Sequence, residues 1–316
     1  MLTLFVAFCS PSLLAQNNAT SIPKDSTLDV AVLTPIVVRG LNTEKEKAEA
    51  IFNWIVHNIE YDFRAYRKQK NSNFKTEDIL KKRKAVCSGK ANLFQEMCTE
   101  VGLKSYFISG YTKENGKLTD PTVGMHAWNV VSIEGKFELV DATWGREPTK
   151  GWPFRKYKLN DHWFATDKKE MAITHLPEDP MWQLLDQPID LKIFQKEPKL
   201  IRQEMRKLSG KYAYMDSIQK WEKQNVIYQQ YLSGEHTFKF NPKHTIAKSQ
   251  SHYCYAINLD FNSESAAPIE KIKILNQCEE LYQNALKQLG KSKPKNKLVI
   301  RFVSDQKAIV ADSLAN

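Results

Sequence analysis

Between Thr43 and Gly145 the apolar positions switch from helical spacing to alternation, and the switch marks out the predicted elements. Ala48, Ile51, Phe52, Ile55 and Ile59 recur at helical spacing, which predicts an amphipathic helix to about Asn58 that ends before Tyr61. Thr43 followed by Glu46 is the capping-box pattern that opens such a helix. A second helix is expected around Ile79 and Leu80, with Thr76 as its cap and a basic run that suits the negative end of its dipole. A third is written in Cys87, Ala91, Phe94, Cys98 and Val101, which fall on one face at steps of four, three, four and three. Gly102 then suits the left-handed residue that closes a helix. Alternation takes over at Lys104 to Tyr111 and again at Met125 to Ile133 and Lys136 to Asp141, with Glu134 and Gly135 as the turn joining the last two strands. Helices followed by a meander of strands indicate an α+β domain in which a helix packs on an antiparallel sheet.

Outside this segment the texture differs. Leu2 to Ala15 is apolar and ends in a small residue before Gln16, which reads as a secretory signal over residues 1–16 and implies a secreted or periplasmic protein. Phe8 stands where a lipidation signal wants a small residue, so anchoring through Cys9 is not expected. Residues 17–40 read as an N-terminal extension with one short strand at Ile36 to Val38. From about Asp190 the chain turns Lys- and Gln-rich with helical spacing, notably at Tyr212 to Leu232 and Pro268 to Leu289. The expected division is therefore a core over 41–189 and a helical accessory region over 190–316.

Composition narrows the classes. With 42% apolar and 26% charged residues the chain is of globular make-up. The net charge of +10 is spread along the sequence, without a nucleic-acid recognition motif, so a solvated basic surface is expected, with attraction to anionic envelope polymers as a secondary meaning. No transmembrane anchor, metal site or cofactor is expected. Cys87, Cys98, Cys254 and Cys278 are too scattered for a disulfide scaffold or for a metal motif, and a Cys254–Cys278 bridge stays open.

One constellation carries chemistry. A cysteine attacks as thiolate, and an unperturbed thiol with a pKa of about 8.5 is mostly protonated at neutral pH. Cys87 at the first turn of its helix gains from the positive end of the dipole, and the amides there offer an oxyanion site. If Glu134 and Gly135 form a two-residue loop, Ile133 pairs with Lys136, and His126, Trp128, Asp141 and Thr143 share a face. His126 and Asp141 become diagonal neighbours, close enough for a carboxylate to hold an imidazole. Cys98, on the same stripe as Cys87, is the ordinary buried cysteine against which that reading is weighed. Trp128 and Trp144 are candidates for lining the cleft.

The segments AEAIFNWIVHNIEYD, AVCSGKANLF, MHAWNVV and VDATWG occur in the order expected of the transglutaminase-like superfamily, whose catalytic core resembles that of papain. By this resemblance Cys87 matches the nucleophile, His126 the general base and Asp141 its orienting acid. The stretch Asp161 to Leu185 is similar to the branch that includes kyphoscoliosis peptidase and the cytokinesis proteins. The resemblance covers roughly Leu41 to Leu185 and implies a papain-like core, with a side chain upstream completing the oxyanion site, for which Tyr61 and Gln69 are guesses. It implies thioester chemistry on a peptide or protein amide. Hydrolysis is favoured; amine transfer to glutamine and a non-catalytic peptide- or envelope-binding module are the alternatives.

Overall fold

The computed structural model describes residues 29–68, 75–114, 117–118, 126–148, 157–263, 265–289 and 297–315. The signal expected over 1–16, with Cys9, and the guess at Gln69 lie outside the described residues.

The chain opens with α1 (Val30–Val37), α2 (Glu44–Asn58), β1 (Glu60–Tyr61), α3 (Phe63–Lys68), α4 (Thr76–Lys82), β2 (Lys84–Ala85) and α5 (Cys87–Glu100). Strands β3 (Ser105–Glu114), β4 (Lys117–Leu118), β5 (His126–Ile133), β6 (Lys136–Val140), β7 (Arg146–Pro148) and β8 (Tyr157–Leu159) follow. Then come α6 (Lys168–Thr174), β9 (His175–Pro177), α7 (Leu191–Phe194), α8 (Pro198–Lys207), α9 (Tyr214–Glu222), α10 (Val226–Phe240), α11 (Thr245–Ser263), α12 (Pro268–Leu289) and α13 (Lys297–Ala315). The protein mixes helix and antiparallel sheet, as the α+β pattern of its core predicts.

Contacts divide the chain into two compact units, one formed by Met1–Ser109 with His126–Met171 and the other by Gly110–Met125 with Ala172–Asn316. In the first, β5 pairs antiparallel with β6 in the register Ile133 to Lys136 through Asn129 to Val140, and β3 runs along the other side of β5. Glu134 and Gly135 both adopt positive φ, 52° and 76°, the conformation of a two-residue turn whose twist matches its strands. Helices α1, α2 and α5 pack one core with the sheet, built on Leu33, Phe52, Trp54, Leu93, Phe94, Val131 and Val140, all without solvent exposure. Helix α2 opens with the capping box expected at Thr43 and Glu46. At its other end Arg146 donates to the carbonyls of Val56 and His57 and lies over the Tyr157 ring at 3.3 Å, a cation at the negative end of a helix dipole.

Three local expectations need correction. Ile36 to Val38 is not a strand: α1 runs to Val37, opened by Asp29, whose carboxylate accepts from the Ala31 amide at 2.8 Å. Pro35 sits within that helix, and Val30, Leu33 and Val37 supply the helical stripe that the proline masks to the eye. Thr76 is not a cap but the first residue of α4; its hydroxyl is buried and donates to Glu96 at 3.0 Å. The stretch Tyr212 to Leu232 is two helices, because Asn225 turns extended and accepts from the Tyr228 amide at 2.9 Å, starting α10 afresh.

In the second unit the last residues of β3 pair with β4 and, through Gly110 to Thr112, with β9. Tyr111, Leu176, Ile189, Phe194 and Ile201 form one core there. Helices α11, α12 and α13 bury a second, centred on Ala256, Leu275, Cys278, Tyr282, Val303 and Val310. Helix α12 spans the range that its periodicity predicts.

Candidate active site

Cys87 is the first residue of α5, preceded by Val86 in extended conformation, and no side chain caps the helix. The first-turn amides of Ser88 and Gly89 are therefore not taken up by a cap, and they sit at the positive end of the dipole. Gly89 is required by packing. A Cβ there would lie 2.9 Å from the Ala85 Cβ and 3.1 Å from Ile79. A small cavity of about 40 Å³ beside this turn is lined by residues that include Asp62, Lys82, Lys84, Val86 and Gly89.

His126 opens β5, and Asp141 follows the last residue of β6. The hairpin register puts them on one face, and the side chains meet there: His126 Nε2 lies 2.7 Å from Asp141 Oδ2. The carboxylate is held at its other oxygen, where Oδ1 accepts from the Thr143 and Trp144 amides at 2.7 and 3.1 Å. Asp141 also anchors the turn through its backbone, donating to the Trp163 carbonyl and accepting from the Gly145 amide, both at 2.9 Å. A buried carboxylate so supplied with donors is fixed in place.

With Nε2 taken by Asp141, Nδ1 is the ring nitrogen left for the hydrogen bond that the imidazole makes with the Cys87 thiol. Burial alone pushes the Cys87 thiol up, but the His126 hydrogen bond, the His126 charge and a hydrogen bond with the Ala127 backbone outweigh it, so the thiol titrates below its usual range. His126 moves the other way. Burial disfavours its cation, yet the charge and hydrogen bond of Asp141, with help from Cys87, hold it well above an ordinary histidine. The two shifts together favour a thiolate beside an imidazolium. Cys98, on the same helical face, has no such partners, and burial pushes its thiol far up. The four described cysteines are all free.

The two candidate cleft residues separate. Trp128 stacks on the imidazole, centroids 5.9 Å apart and planes at 27°, but it is 1% exposed, so it backs the ring and does not line an open cleft. Trp144 is half-buried, tilted against the same ring at 5.8 Å, and edge-on to Trp163 at 4.8 Å. Tyr61 packs with Phe63 and Tyr66 at 4.9 and 6.1 Å. Asn129 is a residue that the motif contained without its role being read: buried, its Nδ2 donates to Ala91 of α5 at 3.0 Å and to Tyr106 of β3 at 3.3 Å. It ties the helix that carries Cys87 to the sheet that carries His126.

Residues 32–152, which hold this thiol, imidazole and carboxylate, match the family model for the transglutaminase-like superfamily. The chain carries a transglutaminase-like domain. It is similar to human kyphoscoliosis peptidase, 34% identical over 181 residues, covering 56% of this chain and 27% of that protein. Hillarin of Drosophila melanogaster is 28% identical over 202 residues, covering 57% of this chain and 24% of that one. The chain thus spans about a quarter of the length of these curated relatives. Among solved structures, a TGase is similar at 17% identity and a TM-score of 0.31, over 52% of this chain and 39% of that one.

Proposed function

We propose that the transglutaminase-like domain is a thiol enzyme that cleaves peptide or protein amide bonds through a thioester at Cys87, with water as the acceptor. The observation that carries this reading is the continuous hydrogen-bonded line from Cys87 through His126 to Asp141, with the thiol lowered and the imidazole raised. The name of the human relative, a peptidase, supports the same direction.

In this reading the Cys87 thiolate attacks the amide carbonyl, and the oxyanion that forms faces the first-turn amides of α5. Collapse breaks the carbon–nitrogen bond, and the departing amine takes its proton from the His126 imidazolium. His126, neutral again, then draws a proton from water as that water attacks the thioester, and the acid product leaves with the thiol restored. Asp141 keeps the ring in one tautomer and balances its charge in both halves of the cycle.

The test is mass spectrometry of a protein mixture incubated with the enzyme and a labelled primary amine, run beside Cys87→Ala. New termini that appear with the wild type and not with the variant are the expected result. Label incorporated into glutamine side chains would replace hydrolysis by transfer. Identical mixtures from both proteins would overturn the enzymatic reading in favour of a binding module.

A further inference from the structure

Lys90 lies three residues after Cys87 on α5 and is 1% exposed. Taking an ammonium out of water costs several kcal/mol unless charges or hydrogen bonds replace the solvent. Here the replacement is sparse: Nζ donates to the Ala142 carbonyl at 3.5 Å, one residue past Asp141. The charged groups that face it are Asp141, Cys87 and Glu60, which favour the ammonium, and Arg146, which opposes it. Burial dominates and pushes the amine down to about 7.

The charge count at the site gives this lysine a task. Thiolate, imidazolium and carboxylate together carry one net negative charge, and the three side chains are nearly out of solvent, Cys87 at 8%, His126 at 8% and Asp141 at 1%. A tetrahedral oxyanion in place of the thiolate leaves the same surplus. We propose that Lys90 is a positioning residue for the nucleophile: a buried ammonium that balances the surplus negative charge of the ionised site and ties α5 to the turn bearing Asp141. The inference rests on the thiol-enzyme reading above, and it adds a fourth ionisable group to the machinery.

The experiment is the pH dependence of iodoacetamide alkylation at Cys87, followed by mass spectrometry, in the full chain as wild type and as Lys90→Met. It needs no substrate, so the wild-type curve reports on the thiol-enzyme reading and the difference between the curves reports on Lys90. Removing the cation is expected to move the acid limb of the variant up by about one pH unit, slowing alkylation near pH 6 by about tenfold. Methionine fills a similar volume, and a lysine whose amine is pushed down on folding destabilises the protein increasingly as pH falls from its ordinary range towards about 7. The variant is therefore expected to melt no lower than the wild type at pH 7. Superposed acid limbs would overturn the proposal and leave Lys90 a packing residue. A wild-type limb in the ordinary thiol range would instead refute the thiol-enzyme reading. Should Lys90→Met fail to fold, Lys90→Gln takes its place, and loss of the fold in both overturns the proposal in favour of a structural tether.

Discussion

Asp141 holds its imidazole with one oxygen and two backbone amides with the other, so its orientation does not depend on the histidine it serves. Asp141→Asn should therefore keep the turn while removing the charge that holds His126 as a cation. Amide hydrolysis by this variant is expected to fall by on the order of 10³ to 10⁴-fold in kcat, with the thermal midpoint little changed. A fall in stability without that loss of rate would make Asp141 a turn residue only. At this scale the trio was legible because each member sits at a position that geometry marks: a helix start and two diagonal places on a hairpin. Lys90 was not legible. A lysine on a helix ordinarily reads as solvated, and only the packing of the folded chain reveals that this one is buried with its Nζ toward the Ala142 carbonyl. Trp128 failed in the opposite sense, because sharing a face with His126 does not say whether that face opens to solvent at both residues.

At the scale of elements, the turn after β6 must come close to α2. Gly145 closes it, and a Cβ there would stand 2.5 Å from Phe52 Cζ and 2.9 Å from Val56 Cγ2, both parts of a core without room to give. Gly145→Ala is expected to destabilise the protein by about 1 to 3 kcal/mol, read as a lowered urea midpoint at constant slope. An unchanged midpoint would show that the turn yields freely and does not fix Asp141. Period and turn chemistry made α2, α5, the hairpin and α12 readable before any coordinates, since each has a long stripe or a strict two-residue loop. Helix α1 was hidden by Pro35, which signals a break, although Asp29 and the stripe of Val30, Leu33 and Val37 point to a helix. The division between α9 and α10 was hidden because helical spacing persists across Asn225, whose capping role decides it.

Taken whole, the first unit brings together residues from three separated segments, and its core and hydrogen bonds serve that meeting: Asn129 locks α5 to the sheet, and Arg146 and Gly145 lock the Asp141 turn to α2. The helices after Asp190 were foreseen as helices from their spacing, but helical spacing says nothing of function. Among the described residues no helix is long and apolar enough to cross a membrane. The central claim is that this assembly makes a thiolate–imidazolium pair, and the alkylation rate of Cys87 as a function of pH, in the wild type and in His126→Ala, tests it most directly. The lowered thiol predicts an acid limb well below the ordinary value of about 8.5, selective for Cys87 over Cys98, Cys254 and Cys278, whose thiols burial pushes up. With His126 removed, the hydrogen bond with the Ala127 backbone alone stands against burial, and the limb should rise to the ordinary range or beyond it. A wild-type limb at or above about 8.5, unmoved by His126→Ala, would contradict the account.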